Sequence, residues 1–282
     1  MGFTLDDVQE HTDLLPPRIL LYSPHGVGKT TFGATAAAPV FAQTEEGLGN
    51  LFGAKKLPFI KSYGMMVDAI QFMFGEHPFR TFVVDTLDWL EPLVWAETCA
   101  EHGKSHIEEF GYGKGFKYAL GKWQFILDGL TALQQQRQIP IILLAHSEIK
   151  RFDSPEIEPY DRYQPKLHQG ASYLVQEWAD IVLFANFKTA IEKTDVGFQK
   201  KVARGTGTGQ RIIYTEERPA FYAKNRYQLP AEIPFPASGA HRMIIESIFS
   251  AGRASAAPEP VEQQPTEKKQ KKKAEPAEAE KF

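Results

Sequence analysis

The sequence predicts an α/β fold, a mostly parallel central sheet flanked by helices. Three observations carry that prediction. Short apolar runs alternate along the chain with segments of helical periodicity. The first run, Ile19-Leu20-Leu21-Tyr22, passes through Ser23-Pro24-His25-Gly26-Val27-Gly28-Lys29-Thr30 into the small-residue segment Thr31-Phe32-Gly33-Ala34-Thr35-Ala36-Ala37-Ala38, which is the order strand, glycine loop, helix. With 282 residues, 43% of them hydrophobic, the chain is long enough to bury a full core.

In that first unit, Gly26 and Gly28 let backbone N–H groups close on an anion, and Lys29 places an ammonium on the β- and γ-phosphates of a nucleotide. Thr30 offers a hydroxyl to Mg²⁺, and the helix that starts there and continues through Thr31 turns its positive end toward the phosphates. The segment from Ser23 to Thr31 therefore reads as a phosphate-binding P-loop. Ser23 stands where the G-x-x-x-x-G-K-S/T pattern has its first glycine, and a serine can also start the turn.

Pro39-Val40-Phe41-Ala42-Gln43 reads as a second strand running into Thr44-Glu45-Glu46-Gly47, and Phe79-Arg80-Thr81-Phe82-Val83-Val84-Asp85 as a third with an acid at its end. A P-loop ATPase needs a second acid that holds Mg²⁺ through water, at the end of a strand adjacent to the P-loop strand. Asp85, followed by Thr86, meets that description. The ordinary alternative is an aspartate capping the next helix. Asp88 reads as first-turn helix chemistry rather than as a metal ligand.

Leu87, Leu90 and Val94, then Leu120, Trp123, Leu127, Leu130 and Leu133, recur at helical spacing and predict two core-facing helices. Ile139-Pro140-Ile141-Ile142-Leu143-Leu144-Ala145-His146 is a buried fourth strand, with Pro140 near its start, where a missing N–H matters least. Ala179 to Ala185 and Arg211 to Tyr214 are later strands, separated by a mobile hairpin or loop from Lys193 to Gln210 that carries Gly205-Thr206-Gly207-Thr208-Gly209. Hydrolysis requires a group that orients or deprotonates water; Glu45 is the candidate and Glu46 the alternative. His146, at a strand end, is placed to sense a γ-phosphate or else is simply satisfied by backbone groups.

Composition bounds the classes of function. A net charge of −3 argues against a globally basic nucleic-acid coat, so DNA contacts would come from local patches. The single cysteine, Cys99, excludes an intramolecular disulfide and suits a reducing cytosol. Together with His102 and His106 it gives a C-x2-H-x3-H spacing, but no fourth zinc ligand is nearby. No run approaches the ~20 apolar residues of a membrane span, and the first twelve residues are polar, so the expectation is a soluble, cytoplasmic protein. One domain is expected over residues 1–250. Residues 251–282, rich in Ala, Pro, Glu, Gln and Lys, are expected to be a disordered, solvated tail whose lysine run is nearly neutralised by glutamates.

From Arg18 to Pro236 this order of parts resembles the RecA-like recombinase core, and more closely the phage ATP-binding proteins of that fold that act as single-strand annealing proteins. Phe41-Ala42-Gln43-Thr44-Glu45 looks like the family strand that ends in a catalytic glutamate, which favours Glu45, and Val83-Val84-Asp85-Thr86 looks like its Walker B strand. His146 stands where RecA has a γ-phosphate-sensing glutamine. Ala223-Lys224-Asn225-Arg226-Tyr227 is similar to the segment whose cations reach a neighbouring subunit's nucleotide, which implies trans-acting roles for Lys224 and Arg226. The resemblance implies ATP and Mg²⁺ as ligands and assembly into a ring or filament of identical subunits.

It also implies two DNA-binding loops. The first, Glu101 to Lys117, holds Lys104, Tyr112, Lys114 and Phe116; the second, Glu148 to Gly170, holds Lys150, Arg151, Arg162, Tyr163 and Lys166. Cations that neutralise phosphates, interleaved with rings that stack on bases, are what sequence-tolerant single-strand binding needs. The plain alternative is a loop that covers the sheet edge or touches another subunit. The reading is a Mg²⁺-dependent ATPase that binds single-stranded DNA and anneals it in phage recombination, with a single-strand-binding protein as a further partner. Too little chain precedes the first strand for a separate oligomerisation domain, so annealing is expected rather than full strand exchange. The alternatives are a P-loop kinase of a small acceptor and an ATP-switched replication or loader protein that anneals nothing.

Overall fold

Successive side chains of a strand point to opposite faces of a sheet, and the first apolar run uses both faces. In a computed structural model, which describes residues 14–49, 51–155, 158–195 and 201–235 with a few positions beyond them, Leu20 and Tyr22 pack with one buried cluster and Ile19 and Leu21 with another. This strand, β1 (Arg18–Ser23), is the centre of the sheet. It leads into α1 (Lys29–Ala34), β2 (Pro39–Gln43) and the short β3 (Lys55–Lys56).

Then follow α2 (Tyr63–Phe72), β4 (Thr81–Asp85), α3 (Leu87–Glu101), α4 (Lys114–Arg137), β5 (Ile141–Phe152), β6 (Tyr160–Pro165) and α5 (Gln169–Trp178). The described part closes with β7 (Ile181–Asp195), β8 (Lys201–Tyr214), β9 (Lys224–Asn225) and β10 (Glu232–Pro234). The strand order is β10-β8-β7-β1-β5-β4-β2-β3. All pairings from β7 to β3 are parallel, while β8 and β10 add antiparallel strands at one edge. This is an α/β fold with a mostly parallel central sheet flanked by helices.

Helices α2 to α5 cover the face of Leu20, Tyr22, Val84 and Leu143, burying Met66, Leu90, Trp123, Leu130 and Val175. The other face holds Phe32 of α1 against Phe41, Val83 and Ile142, closed by Ile233 and Phe235. Each such fully buried side chain contributes about 1.5–3 kcal/mol relative to an exposed one. The two periodic segments of the sequence are α3 and α4, with Trp123 fully buried.

Two parts differ from what the sequence suggests. β4 is not adjacent to β1, because β5 lies between them. The presumed loop after His146 is a β-hairpin: β5 continues to Phe152 and pairs antiparallel with β6, from Ser147↔Pro165 to Phe152↔Tyr160. Its polar composition hides it, since the residues it buries include Arg162 and the half-buried Tyr163 rather than an alternating aliphatic face. The glycine-rich run up to Gly209, expected as a hairpin or loop, is strand and pairs antiparallel with β7, in keeping with the hairpin alternative. The Lys-rich tail, residues 251–282, lies outside the described residues.

Candidate nucleotide site

Parallel strands bring their C-terminal ends to one edge, and the register fixes which residues meet there. Gln43 pairs with Asp85, Asp85 with Leu144, and Ser23 with His146. Thr44, Glu45, Asp85, Thr86, His146 and the P-loop therefore share one rim. Positive φ angles of 76° at Gly26 and 113° at Gly28 bend the loop after Ser23 and Pro24 so that Val27 is buried and Lys29 begins α1.

Lys29 is only 7% exposed. Its Nζ donates to the carbonyls of Ser23 and Pro24 over long distances of 3.5 and 3.4 Å. Burial pulls its pKa down, opposed by the charges of Asp88, Asp85 and Glu45. An ammonium so poorly satisfied at the wall of a cavity of about 280 Å³, lined also by His25, Thr30, Thr31 and Glu45, is a strong attractor for phosphate.

The Thr30 hydroxyl donates to Asp85 Oδ2 at 2.9 Å, spanning the intervening β5. Burial pushes the Asp85 carboxyl up to about 6 despite that bond, with Glu45 raising it further. A Cβ built on Gly47 would lie 3.3 Å from both Asp85 Oδ2 and Thr30 Oγ1, so glycine keeps this corner open. A hydroxyl, a carboxylate and open space beside them are hard-oxygen chemistry that fits Mg²⁺.

Glu45, rather than the exposed Glu46, turns into this cluster. Thr44 and Thr86 hold its strand end: the Thr44 hydroxyl donates to the Thr86 carbonyl at 2.6 Å and accepts the Thr86 N–H at 2.9 Å. The Thr86 hydroxyl donates to Glu45 Oε2 at 3.2 Å. His146 Nδ1 lies 3.7 Å from the same oxygen, and the His25 ring stacks on His146 with centroids 3.9 Å apart. That neighbouring ring holds the His25 imidazole below its ordinary pKa.

Three contributors were missed by sequence reasoning. Asp88, beyond ordinary first-turn helix chemistry, accepts both the backbone N–H and the ring Nδ1–H of His146, each at 2.9 Å. Burial alone would raise its pKa, but these bonds outweigh it and hold the carboxyl low. Arg211 on β8 donates to the Val27 carbonyl at 3.0 Å and lies over the Phe235 ring, buttressing the P-loop from behind. Gly47 is the third. Only the Asp88–His146 pair had a local signal, an acid one turn into a helix that follows a Walker-type strand.

The residues proposed to touch DNA fall into two groups. Lys104, Tyr112, Lys114, Arg151 and Lys166 are exposed. Phe116 is instead stacked on His168, at 4.1 Å between centroids, which brings the start of α4 against the base of the hairpin. Arg162 is buried under Phe152 and paired with Glu217 at 3.0 Å. Tyr163 stacks on Phe184, and Lys150 pairs with Glu148 and donates to the Leu167 carbonyl.

Lys224 and Arg226 lie at the opposite edge of the sheet from the P-loop, because β9 pairs with the first residues of β7. Lys224 Nζ donates to the carbonyls of Gln176, Glu177 and Ala179 and so caps the C-terminus of α5, while Arg226 shares Asp180 with Arg18. Neither reaches its own nucleotide site. Cys99 is buried and His102 bonds to the Thr98 carbonyl; among the described residues, no three His, Cys, Asp or Glu side chains form a metal cluster. No helix among them is long and apolar enough to cross a membrane.

One turn beyond Asp88, Glu91 grips the other end of the same hairpin, both its oxygens accepting the His168 N–H at 3.1 and 2.9 Å. Burial pushes this carboxyl from its ordinary 4.5 up to about 7. A raised carboxyl stabilises the fold fully below its unfolded value, and that contribution is lost as pH rises toward the folded one. The loss between pH 4.5 and 7 is on the order of 3 kcal/mol. Glu91→Gln keeps an acceptor for His168, so urea titrations should show a flatter pH dependence in this window and a more stable protein at pH 8. Parallel curves for wild type and variant would contradict it.

The family described as AAA domain matches residues 15–227. Curated proteins yield no match. Among solved structures the chain is similar to one titled "Crystal structure of the RadB recombinase", with a TM-score of 0.42 and 14% identity, over 80% of this chain and 90% of that one.

Proposed function

Because the chain belongs to the AAA-domain family of P-loop proteins, we propose that it is a Mg²⁺-dependent ATPase that binds single-stranded DNA and promotes annealing in phage recombination, in the host cytoplasm. The observation that carries the nucleotide reading is the buried Lys29 ammonium, left with two long carbonyl contacts beside the Thr30–Asp85 pair. Lys29 and the loop amides take the β- and γ-phosphates. Thr30 and Asp85 would hold Mg²⁺, which when bound neutralises charge on the phosphate oxygens.

Glu45 orients a water and accepts its proton as the water oxygen bonds to the γ-phosphorus. The bond from that phosphorus to the bridging oxygen breaks, ADP leaves with the electron pair, and inorganic phosphate is the second product. His146 meets the γ-phosphate. In a ring or filament of identical subunits, Arg226, with Lys224 behind it, would face a neighbour's nucleotide, a role supported by their position away from their own P-loop.

Single strands would run over the face where α4 meets the hairpin, with Lys104, Tyr112, Lys114, Arg151 and Lys166 as the exposed contacts. A single-strand-binding protein would be the partner that presents the DNA. The test is ATP turnover and strand annealing measured with and without single-stranded DNA. Turnover should rise several-fold with DNA, and less so at high salt. Turnover indifferent to DNA and no annealing would remove the DNA half of the proposal; turnover that appears only with a small acceptor would favour the kinase.

A further inference from the structure

Asp88 lies at the junction of three elements that the ATPase reading brings together: the first turn of α3, the end of the parallel part of β5, and the Glu45 strand end. Its side chain is 4% exposed, and its two oxygens grip one residue of another element. Oδ1 takes the His146 backbone N–H and Oδ2 the ring Nδ1, both at 2.9 Å. An ionised carboxylate can only accept, so Nδ1 carries the proton and Nε2 is the ring nitrogen left to meet a ligand. His25 stacks on the ring from the side, at 3.9 Å.

The competing acceptor for that proton is Glu45. Its Oε2 lies 3.7 Å from Nδ1, beyond hydrogen-bond reach, against 2.9 Å for Asp88. With the imidazole proton held by Asp88, the Glu45 carboxylate is bonded, among the described residues, only on its Thr86 side, at 3.2 Å. We propose that Asp88 is a positioning residue for hydrolysis: by anchoring His146 through backbone and ring together, it keeps Nε2 toward the γ-phosphate and leaves Glu45 available to water. This rests on the ATPase reading above.

The proposal is tested on the full chain with Asp88→Ala and Asp88→Asn. In the alanine variant the His146 Nδ1–H turns to Glu45, and kcat should fall about 10- to 100-fold, the range seen when a supporting hydrogen-bond partner is removed. ATP affinity should stay within about twofold. The asparagine variant keeps the shape and one acceptor oxygen, and should recover part of the loss if the alanine protein is poorly folded.

In a His146→Gln background the Asp88→Ala loss should vanish, since the two residues act as one unit. Losses that simply multiply, or unchanged turnover in Asp88→Ala, would overturn the assignment. A purely structural role would not move the ring nitrogens, whereas ¹⁵N shifts of His146 should show Nδ1 protonated in wild type and redistributed in Asp88→Ala. If wild type hydrolyses no ATP, the functional reading fails; the ring shifts still decide whether Asp88 sets the state of His146, and unchanged shifts end the proposal.

Discussion

Lys29→Ala should abolish ATP binding while leaving the protein folded. The ammonium is buried, and among the described residues its hydrogen-bond partners are two carbonyls at 3.4 and 3.5 Å. It stands against the charges of Asp85, Asp88 and Glu45. Without it the cavity keeps the carboxylates and loses the cation that offsets them, so a triphosphate meets net repulsion. A cation about 4 Å from a phosphate charge, at an effective dielectric near 20, contributes on the order of 4 kcal/mol, or roughly a thousandfold in affinity. Titration calorimetry with Mg·ATP should therefore detect no binding at micromolar nucleotide. The melting temperature should hold or rise, because burial already disfavours the charged ammonium in the free protein. Wild-type affinity in this variant would refute the placement of the phosphates.

The parts of this site that could be read from sequence are those a single strand end supplies. Ser23 to Thr31, Glu45 and Asp85 each follow a short apolar run, and a parallel sheet carries all such ends to one rim. What could not be read depends on contacts between distant segments. Arg211 reaches the Val27 carbonyl across 184 residues, and Asp88 reaches His146 across 58. The hairpin after His146 shows a different obstacle. Arginine and tyrosine interleaved on a polar segment suit nucleic acid, but they equally suit a ribbon that packs its own side chains. Arg162 lies 4.7 Å from the Phe152 ring centroid and pairs with Glu217, while Tyr163 joins the Phe184 stack. Residue type was legible there; the partner was not. Helix α2 was missed although Ser62 caps it, accepting the Met65 N–H, and Met66, Ala69, Ile70 and Met73 are buried at helical spacing. Its methionines and Gly64 blur the pattern.

Glu45→Gln should separate binding from turnover. Glutamine keeps the length of the side chain and an oxygen that can accept the Thr86 hydroxyl, now at 3.2 Å, so the strand end and the Thr44–Thr86 bonds need not move. What disappears is the negative charge that, in the proposed mechanism, accepts a proton from water. Loss of a positioned base costs about 10²- to 10⁴-fold in rate, and kcat should fall in that range. ATP affinity should hold or rise, because one of the carboxylates lining the proposed phosphate cavity has been neutralised. The variant is thus expected to trap nucleotide, with slow single turnover and a tighter calorimetric Kd. Glu46→Gln provides the contrast: Glu46 is exposed on the next residue, and its neutralisation should leave kcat within about twofold. If the two variants lose turnover equally, or if Glu46→Gln alone does, the water is held by the neighbouring acid and the rim must open further than its geometry here shows.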